Sequence, residues 1–261
     1  MAPLRAVKQS YTERARRTGI IQGGFCSTLA LKPIASPGEM KTPPSSPELH
    51  RELLTRHEEI SHGVFLIGFR RTHDFLPGQA IKLGVDTETP PRIYSICSGA
   101  KDDELCVLFN VKEDGFLTPK LAELKVGDAV YASAPYGTFL GTDAAAWWIA
   151  TGTGIAPFRS MLRSGMGKNK VLIHGVRFLN QFYFEEEVAE RLGKNYHRCC
   201  SAESAPGIYS GRVTAFLAEQ DSLPTDQRYY ICGQATMAVE TRDLLIEKGI
   251  PFGNIVTEIY F

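Results

Sequence analysis

Short apolar-rich runs, most of them separated by Gly, Pro or Asp, fill the stretch from Leu49 to about Leu140. Leu53 to Glu59, Gly63 to Phe69, Gln79 to Val85, Arg92 to Ser98, Glu104 to Val111 and Ala129 to Ser133 read as strands. Six strands in so short a span suggest a small antiparallel barrel. One short helix, Thr118 to Leu124, starts after Gly115 and ends before Gly127. Past Tyr136-Gly137-Thr138 the pattern becomes alternating strand and helix, which argues a parallel sheet. Strands are expected at Trp147 to Ala150, Val171 to Gly175, Tyr196 to Cys200, Tyr229 to Cys232 and Asn254 to Tyr260. Helices are expected at Pro157 to Arg163, Glu185 to Leu192, Val213 to Glu219 and Ala235 to Lys248. The tandem Trp147-Trp148 is read as packing. The fold class is therefore two-domain: an antiparallel β-barrel over residues 47–140, then an α/β domain with a Rossmann-like parallel sheet over 141–261.

Residues 1–46 lack a sustained amphipathic pattern and end in Thr42-Pro43-Pro44-Ser45-Ser46-Pro47, a linker composition, so a flexible extension is expected. An organelle-targeting leader, a tail that engages a partner and a true start at Met40 compete here, and the last is preferred. The segment is also where charge is uneven. Residues 1–41 hold seven basic and two acidic residues, so 42–261 hold 22 basic and 27 acidic, a net of −5 within a neutral whole. No pervasive basic character supports nucleic-acid binding. No apolar run approaches the roughly 20 residues that cross a bilayer. Six cysteines show no C-x-x-C spacing, so a metal site is not expected, and reduced buried thiols fit a cytoplasmic protein.

Three stretches carry candidate chemistry. In Pro91-Arg92-Ile93-Tyr94-Ser95-Ile96-Cys97-Ser98, Arg92 and Tyr94 share a strand face, pairing a planar cation suited to a diphosphate with a ring suited to a flat ligand. An ordinary half-buried strand with an incidental Arg explains the segment equally well. At the short helix, Gly115 permits close backbone approach, and Thr118 serves either as N-cap or as a phosphate ligand. Thr151-Gly152-Thr153-Gly154-Ile155-Ala156-Pro157 lies between a strand and a helix at the carboxyl end of the sheet, where open α/β sheets bind nucleotides.

Arg-x-Tyr-Ser followed by x-x-Ser resembles the flavin-binding motif of the ferredoxin–NADP reductase family. Pro77-Gly78-Gln79, Gly115-Phe116-Leu117-Thr118, Gly152-Thr153-Gly154-Ile155-Ala156-Pro157, Cys232-Gly233 and Glu258-Ile259-Tyr260-Phe261 resemble its further motifs, in its order, over about residues 50–261. The resemblance implies FAD on the barrel and NADP on the α/β domain, with ferredoxin or flavodoxin as carrier. Arg92 and Thr118 then hold the FAD diphosphate near Gly115, Tyr94 and Ser95 flank the flavin and bond its N5 edge, and Val111 lies along its pyrimidine side. Thr153 and Gly154 take the nicotinamide dinucleotide. Arg177, Ser201 and Arg212 match positions at its 2′-phosphate, although Ala202 stands where many bacterial members carry Arg, which leaves NAD use open.

By the same resemblance Cys232 shapes the nicotinamide pocket, Glu258 relays protons, and Tyr260 stacks on the flavin face that the nicotinamide must occupy. Phe261 resembles the longer tail of one bacterial subgroup and is expected to cover another part of FAD. A patch of Arg51, Arg56, Arg70 and Arg71 is either a steering surface for an acidic carrier or ordinary solvated surface. Two rivals stand beside the reductase: an NAD(P)H reductase for a haem protein or quinone, and a low-turnover FAD-binding redox sensor.

Overall fold

The computed structural model describes residues 48–260; the expectations for residues 1–46 and for Phe261 lie outside the described residues. Six antiparallel strands come first: β1 Leu49–Ser61, β2 Val64–Arg70, β3 Ala80–Gly84, β4 Arg92–Ser95, β5 Glu104–Asn110 and β6 Ala129–Ser133, with helix α1 Thr118–Glu123 between the last two. Their order is β4-β3-β6-β1-β2-β5, and a bridge between Ile96 and Val107 joins the two ends into a barrel. Ile67, Ile81, Leu83, Val107 and Val130 point inward, and Leu121 of α1 is fully buried with them.

A parallel sheet follows: β7 Ala146–Thr151, α2 Ala156–Arg163, β8 Lys170–Val176, α3 Glu185–Leu192, β9 Tyr196–Cys200, β10 Tyr209–Ser210, α4 Val213–Ala218, β11 Arg228–Gln234, α5 Ala235–Glu247 and β12 Ile255–Tyr260. Its order β10-β9-β8-β7-β11-β12 reverses direction between β7 and β11. Alternation along β7 sorts its side chains by face: Trp148 and Ala150 join a core with α2, α3 and the barrel residues Leu66, Cys97 and Leu108, while Ile149 joins a core with α4 and α5. Trp148 stacks on Phe158 at 5.4 Å, and half-buried Trp147 stacks on Tyr229 at 5.9 Å, so the tandem is packing.

Several boundaries differ from the expected ones. The first strand runs from Leu49 to Ser61, because its first half pairs with β6 and its second with β2 across a register shift at Leu54–Arg56. β4 stops at Ser95, since Ile96 makes only an isolated bridge. Thr118 is not an N-cap: Leu117 holds that position, and the Thr118 hydroxyl instead accepts the Lys112 N–H at 2.9 Å. The two-residue β10 carries too little pattern to be seen in the sequence.

Candidate functional site at the junction of barrel and sheet

Ser95 ends β4, and β12 brings Glu258 and Tyr260 to it across the junction of the two sheets. The Ser95 hydroxyl donates to Glu258 Oε2 at 2.7 Å and accepts from the Tyr260 hydroxyl at 2.8 Å. Parallel register sets Cys232 opposite Glu258, and its thiol reaches the same Oε2 at 3.8 Å. The four residues expected to carry chemistry thus form one hydrogen-bonded cluster. Burial pushes the Glu258 carboxyl up, against the hydrogen bonds from Ser95 and Cys232 that favour its charged form. Burial and the neighbouring Glu258 push the Cys232 thiol well up, so it is an un-ionised, unreactive sulfur.

Tyr136, which in the sequence only marks the change of pattern, belongs to this cluster. Ala80 pairs with Ser95 on one side and with Tyr136 on the other, which puts both side chains on one face of the sheet, with only a methyl between. The Tyr136 hydroxyl is buried with no partner among the described residues. Burial, then the Glu258 charge, raises its pKa.

The other half of the barrel site is Arg92, exposed at the start of β4, with Tyr94 packed edge-on against Phe109 at 6.1 Å. Burial raises the Tyr94 phenol to about 12 against the pull of Arg92. Gly115 closes a turn through its N–H to Lys112 O at 2.7 Å, and a Cβ there would sit 2.8 Å from that oxygen, so only glycine fits. Val111 is tied by its N–H to Gly63 O at 2.7 Å.

On the sheet side, a cleft of about 500 Å³ opens where strand order reverses. Thr153, Arg177, Ser201 and Arg212 line it, as do Thr151, Gln234 and, from the barrel, Asn110. The glycine loop is a 3-10 turn, Gly152–Ile155, running into α2 with Pro157 in its first turn. Gly152 has φ of 53°, and a Cβ on Gly154 would lie 2.3 Å from Cys232 O. His174 supports this turn from below. Its Nε2 is 3.2 Å from Gly152 O and its Nδ1 3.2 Å from the Tyr196 hydroxyl. A carbonyl only accepts, so Nε2 carries the proton and Tyr196 donates to Nδ1. Burial holds His174 down to about 4, so it stays neutral at physiological pH.

Arg177 and Arg212 are exposed and make no ion pair among the described residues, and with the backbone of the glycine turn they suit an anionic dinucleotide. The Thr151 hydroxyl, buried there without a partner among the described residues, is a further ready donor. Thr151 opens the glycine motif, and that position was its one signal in the sequence. The basic patch is only partly free: Arg56 pairs with Glu58 and Glu104, and Arg71 with Asp74, leaving Arg51 and Arg70 exposed. Among the described residues, no three or more His, Cys, Asp or Glu gather to hold a metal, and no helix is long and apolar enough to cross a membrane.

A closed antiparallel barrel meeting a parallel nucleotide-binding sheet, with a hydrogen-bonded Ser–Glu–Tyr–Cys cluster at the seam, is the architecture of a two-domain oxidoreductase. Residues 148–243 match a family model described as an oxidoreductase NAD-binding domain. The flavodoxin/ferredoxin–NADP reductase of Escherichia coli is 32% identical over 192 residues, 64% of this chain and 77% of that protein. The electron transfer component of toluate 1,2-dioxygenase from Pseudomonas putida is 29% identical over 195 residues, 70% of this chain and 58% of that one. A solved ferredoxin NADP+ reductase from Neisseria gonorrhoeae, with bound FAD and NADP, superposes with a TM-score of 0.73 at 23% identity, covering 83% of this chain and all (100%) of that one. The chain belongs to the ferredoxin–NADP reductase family, and so to the FAD-dependent NADP oxidoreductases.

Proposed function

We propose that the chain passes electrons between NADP(H) and a ferredoxin or flavodoxin, with FAD on a domain of residues 47–140 and the dinucleotide on 141–261. The observation that carries this reading is the Tyr260–Ser95–Glu258–Cys232 cluster, which joins the last strand of the sheet to the flavin strand of the barrel. Arg92 and Thr118, beside the Gly115 turn, hold the FAD diphosphate; Tyr94, Ser95 and Val111 hold its ring. Thr153 and Gly154 take the dinucleotide diphosphate, and Arg177, Ser201 and Arg212 its adenosine 2′-phosphate. Bound flavin supplies the conversion of two-electron to one-electron chemistry.

The chain's own residues orient and exclude. Tyr260 covers the position beside Ser95 and must leave before a nicotinamide enters. Glu258, its pKa raised by burial, exchanges protons with the site through the Ser95 hydroxyl that donates to its Oε2. Cys232 shapes the pocket wall. A cytoplasmic location fits the five described cysteines, all free and buried.

A second reading, reduction of an oxygenase component rather than a free carrier, is favoured by the Pseudomonas putida relative. Stopped-flow reduction of the flavin by NADPH and by NADH, followed by reoxidation with ferredoxin, flavodoxin or a dioxygenase's oxygenase component, separates the two. Fast reduction by NADPH with preferential reoxidation by ferredoxin or flavodoxin supports the proposal. Negligible reduction would leave only the redox-sensing module.

A further inference from the structure

The loop that leaves the flavin strand is gripped by the helix that follows the glycine turn. Arg159, with 12% of its side chain exposed, donates from Nε to Glu187 Oε2 at 2.8 Å and from a terminal nitrogen to the Cys97 carbonyl at 3.3 Å. Its guanidinium lies 3.9 Å from the Phe184 ring centroid. One helical turn on, Arg163 Nε reaches Asp102 Oδ2 at 2.7 Å while a terminal nitrogen reaches Glu187 Oε1 at 3.0 Å. Asp102 Oδ2 also accepts the Gly99 N–H at 2.8 Å, and the Ala100 N–H donates to Ser164 at 2.9 Å. A Cβ on Gly99 would sit 2.9 Å from the Arg163 Cβ, so only glycine lets loop and helix pack this closely.

These contacts have consequences because of where their ends lie. Cys97 is two residues past Ser95, and α2 begins where the Gly152–Ile155 turn stops. The grip therefore joins the strand that carries the flavin contacts to the turn that carries the dinucleotide. Burial raises Asp102 and Glu187, and the two arginines outweigh it, so both carboxylates stay charged. A partly buried, forked network, with Arg159 at its shielded end and the Arg163–Asp102 pair about a third exposed, holds its partners in one geometry.

We propose that Arg159 and Arg163 are positioning residues: acting through Cys97 and Asp102, they fix the spacing between flavin strand and dinucleotide turn. The proposal rests on the reductase reading above. The test compares Arg163→Gln, Arg163→Lys, Asp102→Asn and the Arg163→Gln/Asp102→Asn double variant with the parent, all loaded with FAD. A misplacement near 1 Å costs about a hundredfold in rate. We expect flavin reduction by saturating NADPH to fall roughly ten- to a hundredfold in Arg163→Gln. NADP+ affinity and flavin retention should hold, and the charge-transfer absorbance with NADP+ should weaken in parallel. In the FAD-free protein, amide exchange over residues 97–102 should quicken. Arg163→Lys should recover part of the loss, and the double variant should be no worse than either single one. Parent-like reduction and charge-transfer absorbance in all variants would overturn the proposal, as would an equal loss of rate and NADP+ affinity. A parent that NADPH fails to reduce would overturn the reductase reading itself, and so is distinguishable.

Discussion

Replacing Tyr260 tests whether the last described side chain is a lid over the reacting face. Its hydroxyl donates to Ser95 at 2.8 Å, and its ring packs against the core shared by barrel and sheet. Entry of a nicotinamide must break the hydrogen bond, worth about 0.5–1.5 kcal/mol net. It must also displace a stacked aromatic, worth roughly 1–3 kcal/mol. At about 1.4 kcal/mol per tenfold, the two together hold nicotinamide affinity down by about one to three powers of ten. Tyr260→Ser should therefore tighten NADP+ binding by that factor, read from the flavin difference spectrum during titration, with a stronger charge-transfer band between reduced flavin and NADP+ than the parent shows. Tyr260→Phe keeps the ring and loses only the hydrogen bond, so it should tighten binding by about tenfold at most. Ser95 still donates to Glu258 in both variants, so the acid limb of the pH–rate profile should not move. Unchanged NADP+ affinity in Tyr260→Ser would refute the lid.

Arg212→Ala removes an exposed cation from the cleft and should raise KM for NADPH by about tenfold or more, as befits one charge-assisted contact. KM for NADH should barely change, and equal effects would remove Arg212 from 2′-phosphate recognition. Glu258 has a pKa raised above 4.5, so the folded state binds more protons than the unfolded one between the two values. Its contribution to stability is full below the unfolded pKa and is lost as pH rises through the folded one. The gain in Tm of Glu258→Gln over the parent should therefore grow from about pH 4 to about pH 7; a constant difference would count against a half-buried, titrating carboxyl. Gly154→Ala forces a methyl to within 2.3 Å of Cys232 O and should cost about 1–3 kcal/mol in urea unfolding. Gly152→Ala meets open space but keeps φ at 53°, and should cost about 1–2 kcal/mol.

How much of this was legible in the chain depended on whether the signal was local. The continuous apolar run Leu105–Phe109, and the strand–glycine–helix order around Thr151–Pro157, need only neighbouring residues to be read. Both elements form as expected. Glu258 is the opposite case. From its neighbours alone it reads as solvated surface and only the family resemblance marks it, whereas pairing with Cys232 and Ser95, 26 and 163 residues away, makes it a half-buried carboxyl with a raised pKa. Tyr136 and His174 went unnoticed for the same reason, since nothing in their local pattern shows which strand lies beside them. Thr118 misled because a Thr before a Pro looks like a cap, whereas its hydroxyl closes the 112–118 turn.

The junction cluster is made by register, not by a dedicated loop. Along β12, Ile255 and Ile259 face the α4/α5 core, while Val256 and Tyr260 face the core shared with the barrel. Glu258 lies between Val256 and Tyr260 on that second face by the period of two. Pairing of Tyr229 to Gln234 with Ile255 to Tyr260, residue for residue, then fixes how far Glu258 reaches past the sheet edge. A slip of one residue would turn Glu258 and Tyr260 into the α4/α5 core and Ile259 toward Ser95, burying a carboxylate with no donor and exposing an apolar chain. The apolar residues of β12 therefore hold Glu258 and Tyr260 in place. The same packing that stabilises the sheet sets which side chains meet Ser95 at the end of β4.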